Sequence, residues 1–297
     1  MRLRRWRDAS PKQNPEDAEL GSPSMATPVQ VIRPTSGWRG LQLGELWGYR
    51  ELLLVFTWRN ILVRYKQTVL GIGWAVLQPF FLMVVFTVFF QRLGHASSNG
   101  IPYPIFSYAG LLPWTFFASS VTQSALSLVG NQNLLRKIYF PRLIIPISTV
   151  LTSLVDLLVA STLLAGLMVY YGTYPSWRVV ALPALVLLAV TTALGLGLWL
   201  SALNVVYRDI QYVVPFMVQI WLFSTPAVYV GSTFHEPWGT LLGLNPMQGV
   251  VAGFRWALIS GQSPGRMIGV SAAVAVLLLG SGIVHFRRLE KNFADVV

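Results

Sequence analysis

Residues able to perform catalysis are few in this chain of 297 residues, and they are not grouped as a reaction centre. None of its four lysines follows a glycine, so the Gly-Lys-Ser/Thr element that holds the phosphates of ATP is absent. The chain has no cysteine, which excludes thiolate nucleophiles and zinc–thiolate sites, and its three histidines are scattered. We therefore expect no catalytic residue, no metal site and no cofactor in this chain.

Two pairs of glycines, Gly71 with Gly73 and Gly195 with Gly197, could suggest a nucleotide-binding loop. Each pair lacks the third glycine of the dinucleotide-binding fingerprint and lies within an apolar stretch. Small residues in such stretches more often allow two helices to approach closely. We interpret both pairs as helix-packing positions.

Asp156 is the ionisable residue that lies deepest in an apolar stretch. Leaving an aspartate unpaired at the centre of a bilayer costs roughly 2.5–3.5 kcal/mol on insertion scales. One interpretation is a proton or cation site in an ion-coupled carrier. The other is a hydrogen bond to Thr152, Ser153 or Asn204, which we favour because no second membrane carboxylate or buried base accompanies Asp156.

The composition indicates that these residues are positioned by a membrane protein. Hydrophobic residues make up 54% of the chain and charged residues 11%, whereas an average soluble domain has roughly 25% charged residues. A spanning helix needs about 20 mainly apolar residues, so we predict an all-α polytopic membrane protein with six transmembrane helices. The predicted spans are 69–90, 106–129, 143–171, 179–206, 213–230 and 267–286. The apolar run within 231–265 is too short to cross and should lie in, or dip into, one interface.

The net charge of +11 indicates how the chain is oriented. With these six spans, 18 of the 22 Lys and Arg residues fall on one side of the membrane. The positive-inside rule places that side, and with it both termini, in the cytoplasm. Charge that alternates across a membrane is not the continuous basic face that nucleic acid requires, so we expect no nucleic-acid partner.

Two segments precede the first span. Residues 1–45 are polar and contain five prolines, which predicts a disordered cytoplasmic tail. Residues 53–68 place Arg59 and Arg64 on one helical arc and Trp58 on the opposite arc, which predicts an amphipathic helix on the inner leaflet. Such a helix could be a passive anchor, or it could sense a cytoplasmic partner and transmit its movement to the first span.

Two short cytoplasmic loops, 131–142 and 207–210, mix charged residues with aromatic or aliphatic ones. Charge alone would satisfy the topology rule. Exposure of Tyr139 and Phe140 is unfavourable, however, unless these side chains meet lipid or protein. From the residues alone, a partner-docking role and a purely topological role both stay open.

Several short motifs, taken in order, resemble the permease of type 2 ABC exporters for polysaccharides. This group includes the O-antigen (Wzm-type), capsule and teichoic-acid export permeases, and the resemblance covers about residues 46–297. The motifs are RYKQTVLGIGWA at 64–75, QP at 78–79, GLLPW at 110–114, KIYFP at 137–141, YRD at 207–209, NP at 245–246, FR at 254–255 and FAD at 293–295.

The resemblance implies a permease that is not itself an enzyme, located in the bacterial inner membrane. It implies a homodimer bound to two copies of a separate ATPase, which carries the ATP and magnesium. The substrate would be a lipid-linked polysaccharide, moved outward from the cytoplasmic leaflet through a channel between the two permease subunits. A type 2 exporter of a small molecule or drug is the alternative. Region 231–265 would correspond to short external helices near the exit.

The resemblance also assigns expected roles to individual residues. The residues expected to dock the ATPase are Arg59, Arg64, Arg136, Lys137, Tyr139, Phe140, Arg208 and Asp209. The residues expected to line the channel, where aromatic faces stack on sugar rings, are Trp74, Phe81, Tyr212, Phe216, Trp221 and Tyr229. Arg59 and Arg64 are in addition candidate ligands for the diphosphate of the lipid carrier.

Overall fold

A computed structural model describes residues 43–66, 68–93, 100–137, 140–227, 242–259, 261 and 263–290. These residues form helices joined by turns, and no β-strand occurs among them. The all-α prediction is therefore confirmed for the part of the chain that is described. The predicted tail, apart from its last three residues, lies outside the described residues.

The α-helices of the described residues are α1 Leu43–Gly48, α2 Arg50–Tyr65, α3 Trp74–Phe86, α4 Tyr103–Gly130, α5 Gln132–Lys137, α6 Ile144–Tyr170, α7 Leu182–Val206, α8 Ile210–Ser224, α9 Pro246–Ile259 and α10 Met267–Glu290. A 3-10 turn, Gly71–Gly73, leads into α3, which continues as a π-helix over Thr87–Leu93. Further 3-10 segments are Trp177–Ala181, before α7, and Leu242–Leu244, before α9.

Each of the six predicted spans overlaps one of these helices, and the predicted interface helix overlaps α2. Four stretches are long and apolar enough to cross a membrane: Gly71–Phe90, Ile144–Tyr170, Trp177–Val206 and Met267–Glu290. The helix α8 is apolar but has only 15 residues. The helix α4 has 28 residues and carries many hydroxyl groups, and it is not among the four.

The helix α4 lies at the centre of the bundle. It packs against α3, α6, α7, α8 and α9, and most of its residues are buried. Its serines at 107, 120, 124 and 127 are buried together with Tyr108, Phe117 and Leu128. A helix enclosed by other helices contacts protein rather than lipid, so it tolerates more polar residues than a lipid-facing span.

Glycine allows α7 and α10 to approach within backbone contact. A Cβ added to Gly195 would lie 2.7 Å from the carbonyl carbon of Leu278, and one added to Gly282 would lie 2.5 Å from the carbonyl oxygen of Gly195. A Cβ on Gly197 would lie 2.8 Å from the Cβ of Ser124 on α4. The helix-packing interpretation of Gly195 and Gly197 is thus confirmed. For Gly71 it is wrong, because this residue begins the turn before α3 with φ +52° and meets nothing within 4 Å.

The helix α9 is enclosed by α4, α7 and α10, and all its residues except Ala252 and Trp256 are buried. Arg255 holds α9 in place. The guanidinium of Arg255 donates to the carbonyl oxygens of Phe106 (3.3 Å), Pro226 (2.6 Å) and Ala227 (2.5 Å). The apolar run of the segment 231–265 therefore forms a helix held inside the bundle. The first part of this segment, 231–241, lies outside the described residues.

Replacing Gly282 by alanine should destabilise the fold by about 1–3 kcal/mol, because the added methyl group meets backbone that cannot yield without separating α7 and α10. Gly280, on the same helix, has nothing within 4 Å of an added Cβ. Gly280→Ala should therefore be neutral or stabilising, by at most about 1 kcal/mol from helix propensity. Thermal unfolding of the purified protein in detergent measures both. A Gly282→Ala protein as stable as Gly280→Ala would contradict this packing.

Candidate functional site

The interface helix α2 packs several polar side chains against the bundle and leaves several apolar side chains exposed. Arg59 donates to Asn131 Oδ1 at the end of α4 (2.6 Å), and Asn60 donates to Ser148 Oγ on α6 (3.2 Å). Trp58 and Val63 are exposed. An outward apolar face agrees with a helix that lies against lipid. Arg59 and Asn60 of the polar arc are thus packed on the end of α4 and on α6.

Four side chains from three helices form a hydrogen-bonded group, which we call the Asp156 cluster: Arg64, Tyr65, Gln123 and Asp156. Arg64 forms an ion pair with Asp156 through Nη1 and donates to Gln123 Oε1 through Nη2. Tyr65 donates its hydroxyl to the other carboxylate oxygen of Asp156 (2.6 Å). Both oxygens of Asp156 are therefore paired, and α2 is tied to α4 and α6.

The partners of Asp156 differ from those expected. Thr152 and Ser153 instead donate to backbone carbonyls one turn earlier in α6, and Asn204 donates to the carbonyl of Ala125. The charged partner of Asp156 is Arg64, which lies 92 residues away on a helix outside the predicted spans. The carboxylate is thus paired with a cation of the same chain.

Tyr65 remains a hydrogen-bond donor at any physiological pH. Burial, followed by the hydrogen bond to Asp156 and the charge of that carboxylate, raises the pKa of its phenol to about 12 against the opposing effect of Arg64. A phenol whose pKa is raised keeps its proton. The cluster therefore combines the cation of Arg64, the neutral phenol of Tyr65 and the carboxylate of Asp156 with the amide of Gln123.

A cavity of about 600 Å³ opens beside the Asp156 cluster, between α2, α3, α4 and α6. The cluster forms part of one wall, and the indole rings of Trp74 on α3 and Trp114 on α4 form other parts. This volume lies within the range of roughly 300–1,000 Å³ that is typical of small-ligand sites. The cavity is the candidate binding site of this chain.

The residues expected to line a channel occupy different places. Trp74 lines the cavity, whereas Phe81 on α3 and Tyr212 and Phe216 on α8 are exposed on the outside of the single chain. Trp221 packs edge-to-face on the ring of Phe117, with centroids 5.3 Å apart. Tyr229 lies outside the described residues.

The residues expected to dock an ATPase are also divided. Arg136 and Lys137 are exposed in the last turn of α5, and Arg208 and Asp209 are exposed in the turn between α7 and α8. Tyr139 lies outside the described residues.

The expectation that Phe140 is exposed is wrong. Its ring is buried against Phe56 of α2, with centroids 5.5 Å apart. Sequence reasoning missed this contact because it placed α2 on the membrane surface. Gln123 was also missed, and its spacing of four residues from Ser119, which accepts from it at 2.7 Å, was the available signal.

Removing one member of the Arg64–Asp156 pair should destabilise the protein more than removing both. Arg64→Met leaves the carboxylate without its cation, and Asp156→Leu leaves the guanidinium without its anion, each at a cost of roughly 1–3 kcal/mol. The double variant has no uncompensated charge. Thermal unfolding in detergent should show a double variant more stable than the sum of the single effects. Strict additivity would mean that the two side chains are not coupled.

Comparisons with known proteins agree with the resemblance drawn from the motifs. Residues 51–259 match the family described as ABC-2 type transporter. The chain is 33% identical over 257 residues to the O-antigen export system permease protein RfbA of Myxococcus xanthus, covering 85% of this chain and 98% of that protein. A protein of the same name from Klebsiella pneumoniae is 28% identical over 249 residues, covering 83% of this chain and 95% of that protein.

A protein named for polysialic acid transport is also similar. The polysialic acid transport protein KpsM of Escherichia coli is 26% identical over 241 residues, covering 78% of this chain and 91% of that protein. The family match extends over more than half of the chain and includes α2 to α9. The chain therefore belongs to the ABC-2 type transporter family.

Proposed function

We propose that this chain is the permease subunit of an ATP-driven exporter that moves a lipid-linked polysaccharide across the bacterial inner membrane. The observation that carries the proposal is the similarity to the O-antigen export permease RfbA over 98% of that protein's length. Relatives named for O-antigen and polysialic acid transport favour a glycan over the small-molecule alternative. Within the exporter, this chain supplies a path through the membrane and not the chemistry of ATP hydrolysis.

A hydrophilic polymer needs a path that is shielded from hydrocarbon. The aromatic residues Phe81, Tyr212 and Phe216 are exposed on faces of α3 and α8 that no other described part of the chain covers. Large exposed apolar faces mark contact with lipid or with another protein. A homodimer that joins these faces would enclose an aromatic-lined channel between its subunits, on which successive sugar rings could stack.

Two of the six crossings would be made by α4 and α8. The central position of α4 explains how a helix of moderate hydropathy can cross, because its neighbours shield it from lipid. With α8 as the fifth crossing, the number of spans is even. The basic residues then lie mainly in the cytoplasm, together with both termini.

ATP and magnesium would be bound by two copies of a separate ATPase. The exposed cations at the end of α5 and the exposed Arg208 and Asp209 would form its docking surface on this chain. The helix α2 packs on α6 through Asn60 and Thr57 and on the end of α4 through Arg59. A movement at the docking surface would therefore reach α2, and through it the first span.

Reversing one charge at the docking surface should weaken ATPase binding. Arg136→Glu replaces an exposed cation on α5, so co-purification of the ATPase should fall severalfold if an acidic ATPase surface meets it. Arg266→Glu makes the same change at an exposed position before α10, on the opposite proposed side of the membrane, and should leave co-purification unchanged. Equal losses in both variants, or none in Arg136→Glu, would contradict this docking surface.

The function itself is tested with the purified complex in proteoliposomes. Lipid-linked glycan from the source bacterium should stimulate ATP hydrolysis and should cross the membrane only when ATP is present. Tyr212→Ala should reduce transport while ATPase binding is retained, because the residue lies on the proposed channel face and not at the docking surface. Stimulation by small hydrophobic drugs, with no response to glycan, would overturn the proposal.

A further inference from the structure

The cavity beside the Asp156 cluster presents polar groups that the protein itself does not satisfy. The amide of Gln78 and the hydroxyl of Thr122 line the cavity, and neither makes a hydrogen bond within the described part of the chain. The indole N–H groups of Trp74 and Trp114, which also line it, make none there either. Polar groups at membrane depth are costly unless a ligand, water or protein group pairs with them.

The charged residues of the cavity are already paired. Among the described residues that line it, Arg64 and Asp156 carry charge, and they bind each other. The second terminal nitrogen of Arg64, Nη2, donates to Gln123. A phosphate ligand requires an available cation, and this wall does not offer one. The wall therefore favours a ligand without net charge.

The remaining chemistry of the wall fits a sugar ring. The cavity combines the exposed indole ring of Trp74 with an amide that both donates and accepts and a hydroxyl that does the same. A pyranose has an apolar C–H face that packs on an aromatic ring, and its hydroxyls act as donors and acceptors around the rim. An acyclic polyol lacks the flat face, and an inorganic anion lacks both.

We propose that this cavity, which lies within a single subunit, binds one neutral pyranose unit of the exported glycan. The inference rests on the proposed function and adds a sugar site that is separate from a channel between two subunits. A sugar held there would contact α3 and α4 beside the Asp156 cluster. It would thus lie against the residues that tie the interface helix to the bundle.

Because the chain contains no cysteine, one introduced thiol reports on the cavity without interference. Thr122→Cys places it in the cavity wall, and Thr68→Cys places a matched control at an exposed threonine in the turn after α2, outside that wall. The full chain with its ATPase, reconstituted in lipid nanodiscs, is labelled with a small methanethiosulfonate reagent. The probes are methyl α-glucoside, methyl α-mannoside and methyl α-galactoside, with mannitol and inorganic pyrophosphate as comparisons.

At least one of the methyl pyranosides should slow the labelling of Thr122→Cys. The labelling rate falls by a factor of one plus the ratio of the pyranoside concentration to its dissociation constant. At a pyranoside concentration of about four times that constant, labelling should therefore be roughly fivefold slower. Mannitol and pyrophosphate should have no such effect, and Thr68→Cys should label at the same rate throughout. Protection by pyrophosphate, equal protection by mannitol, or equal protection of Thr68→Cys would each overturn the inference.

Variants of the aromatic wall give a second readout. Adding Trp74→Ala to Thr122→Cys should abolish the protection, and Trp74→Phe, which keeps an aromatic face, should restore it. Gln78→Cys gives a second reporter position on α3 if Thr122→Cys does not fold. Protection that survives Trp74→Ala would contradict sugar stacking at this wall.

Glycan transport by the protein with Trp74 and Thr122 intact separates the two proposals. Transport without pyranoside protection would refute the cavity site and leave the proposed function in place. Failure to transport any glycan would refute the proposed function.

Discussion

The ion pair between Arg64 and Asp156 is the interaction on which the candidate site depends. A carboxylate inside a membrane bundle requires a partner, and the nearest cation belongs to the interface helix α2. Pairing the two draws the end of α2 against α4 and α6. The same contact makes the two charges in the wall of the neighbouring cavity neutralise each other, which leaves neutral groups and the indole ring of Trp74 to face a ligand.

Close packing around α4 holds the other walls of the site. Ser119 on α4 is hydrogen-bonded to Ser153 on α6 beside the cluster, and it also accepts from Gln123, one turn away on its own helix. On the opposite side, Gly197 allows α7 to approach Ser124, and Gly195 and Gly282 bring α7 and α10 into backbone contact. Small residues serve as contact positions in membrane bundles because dispersion, and not a hydrophobic driving force, holds the helices together. The side of α4 that packs on α7 therefore holds in place the other side of α4, which lines the cavity.

The interface helix has two faces with different consequences for coupling. Its apolar face is exposed, and its polar face carries the contacts of Arg59, Asn60 and Arg64 to α4 and α6. Phe56 adds a buried contact to Phe140, beside the end of the α5 segment. A helix that is fastened at several points and leads into the first span would transmit displacement rather than absorb it. This arrangement fits the proposed transfer of movement from an ATPase to the membrane path.

The sequence by itself determined the helical class, the approximate bounds of each long helix and the roles of Gly195 and Gly197 in packing. These features follow from local hydropathy and residue size, which do not depend on distant partners. The tertiary structure alone decided that Asp156 pairs with Arg64, that Phe140 is buried and that α9 is enclosed, because each depends on residues far apart in the chain. It also decided that Trp74 and Trp114 share a cavity while Tyr212 and Phe216 do not. A hydropathy pattern shows that a helix exists, but only packing shows which of its faces meets protein, lipid or a ligand.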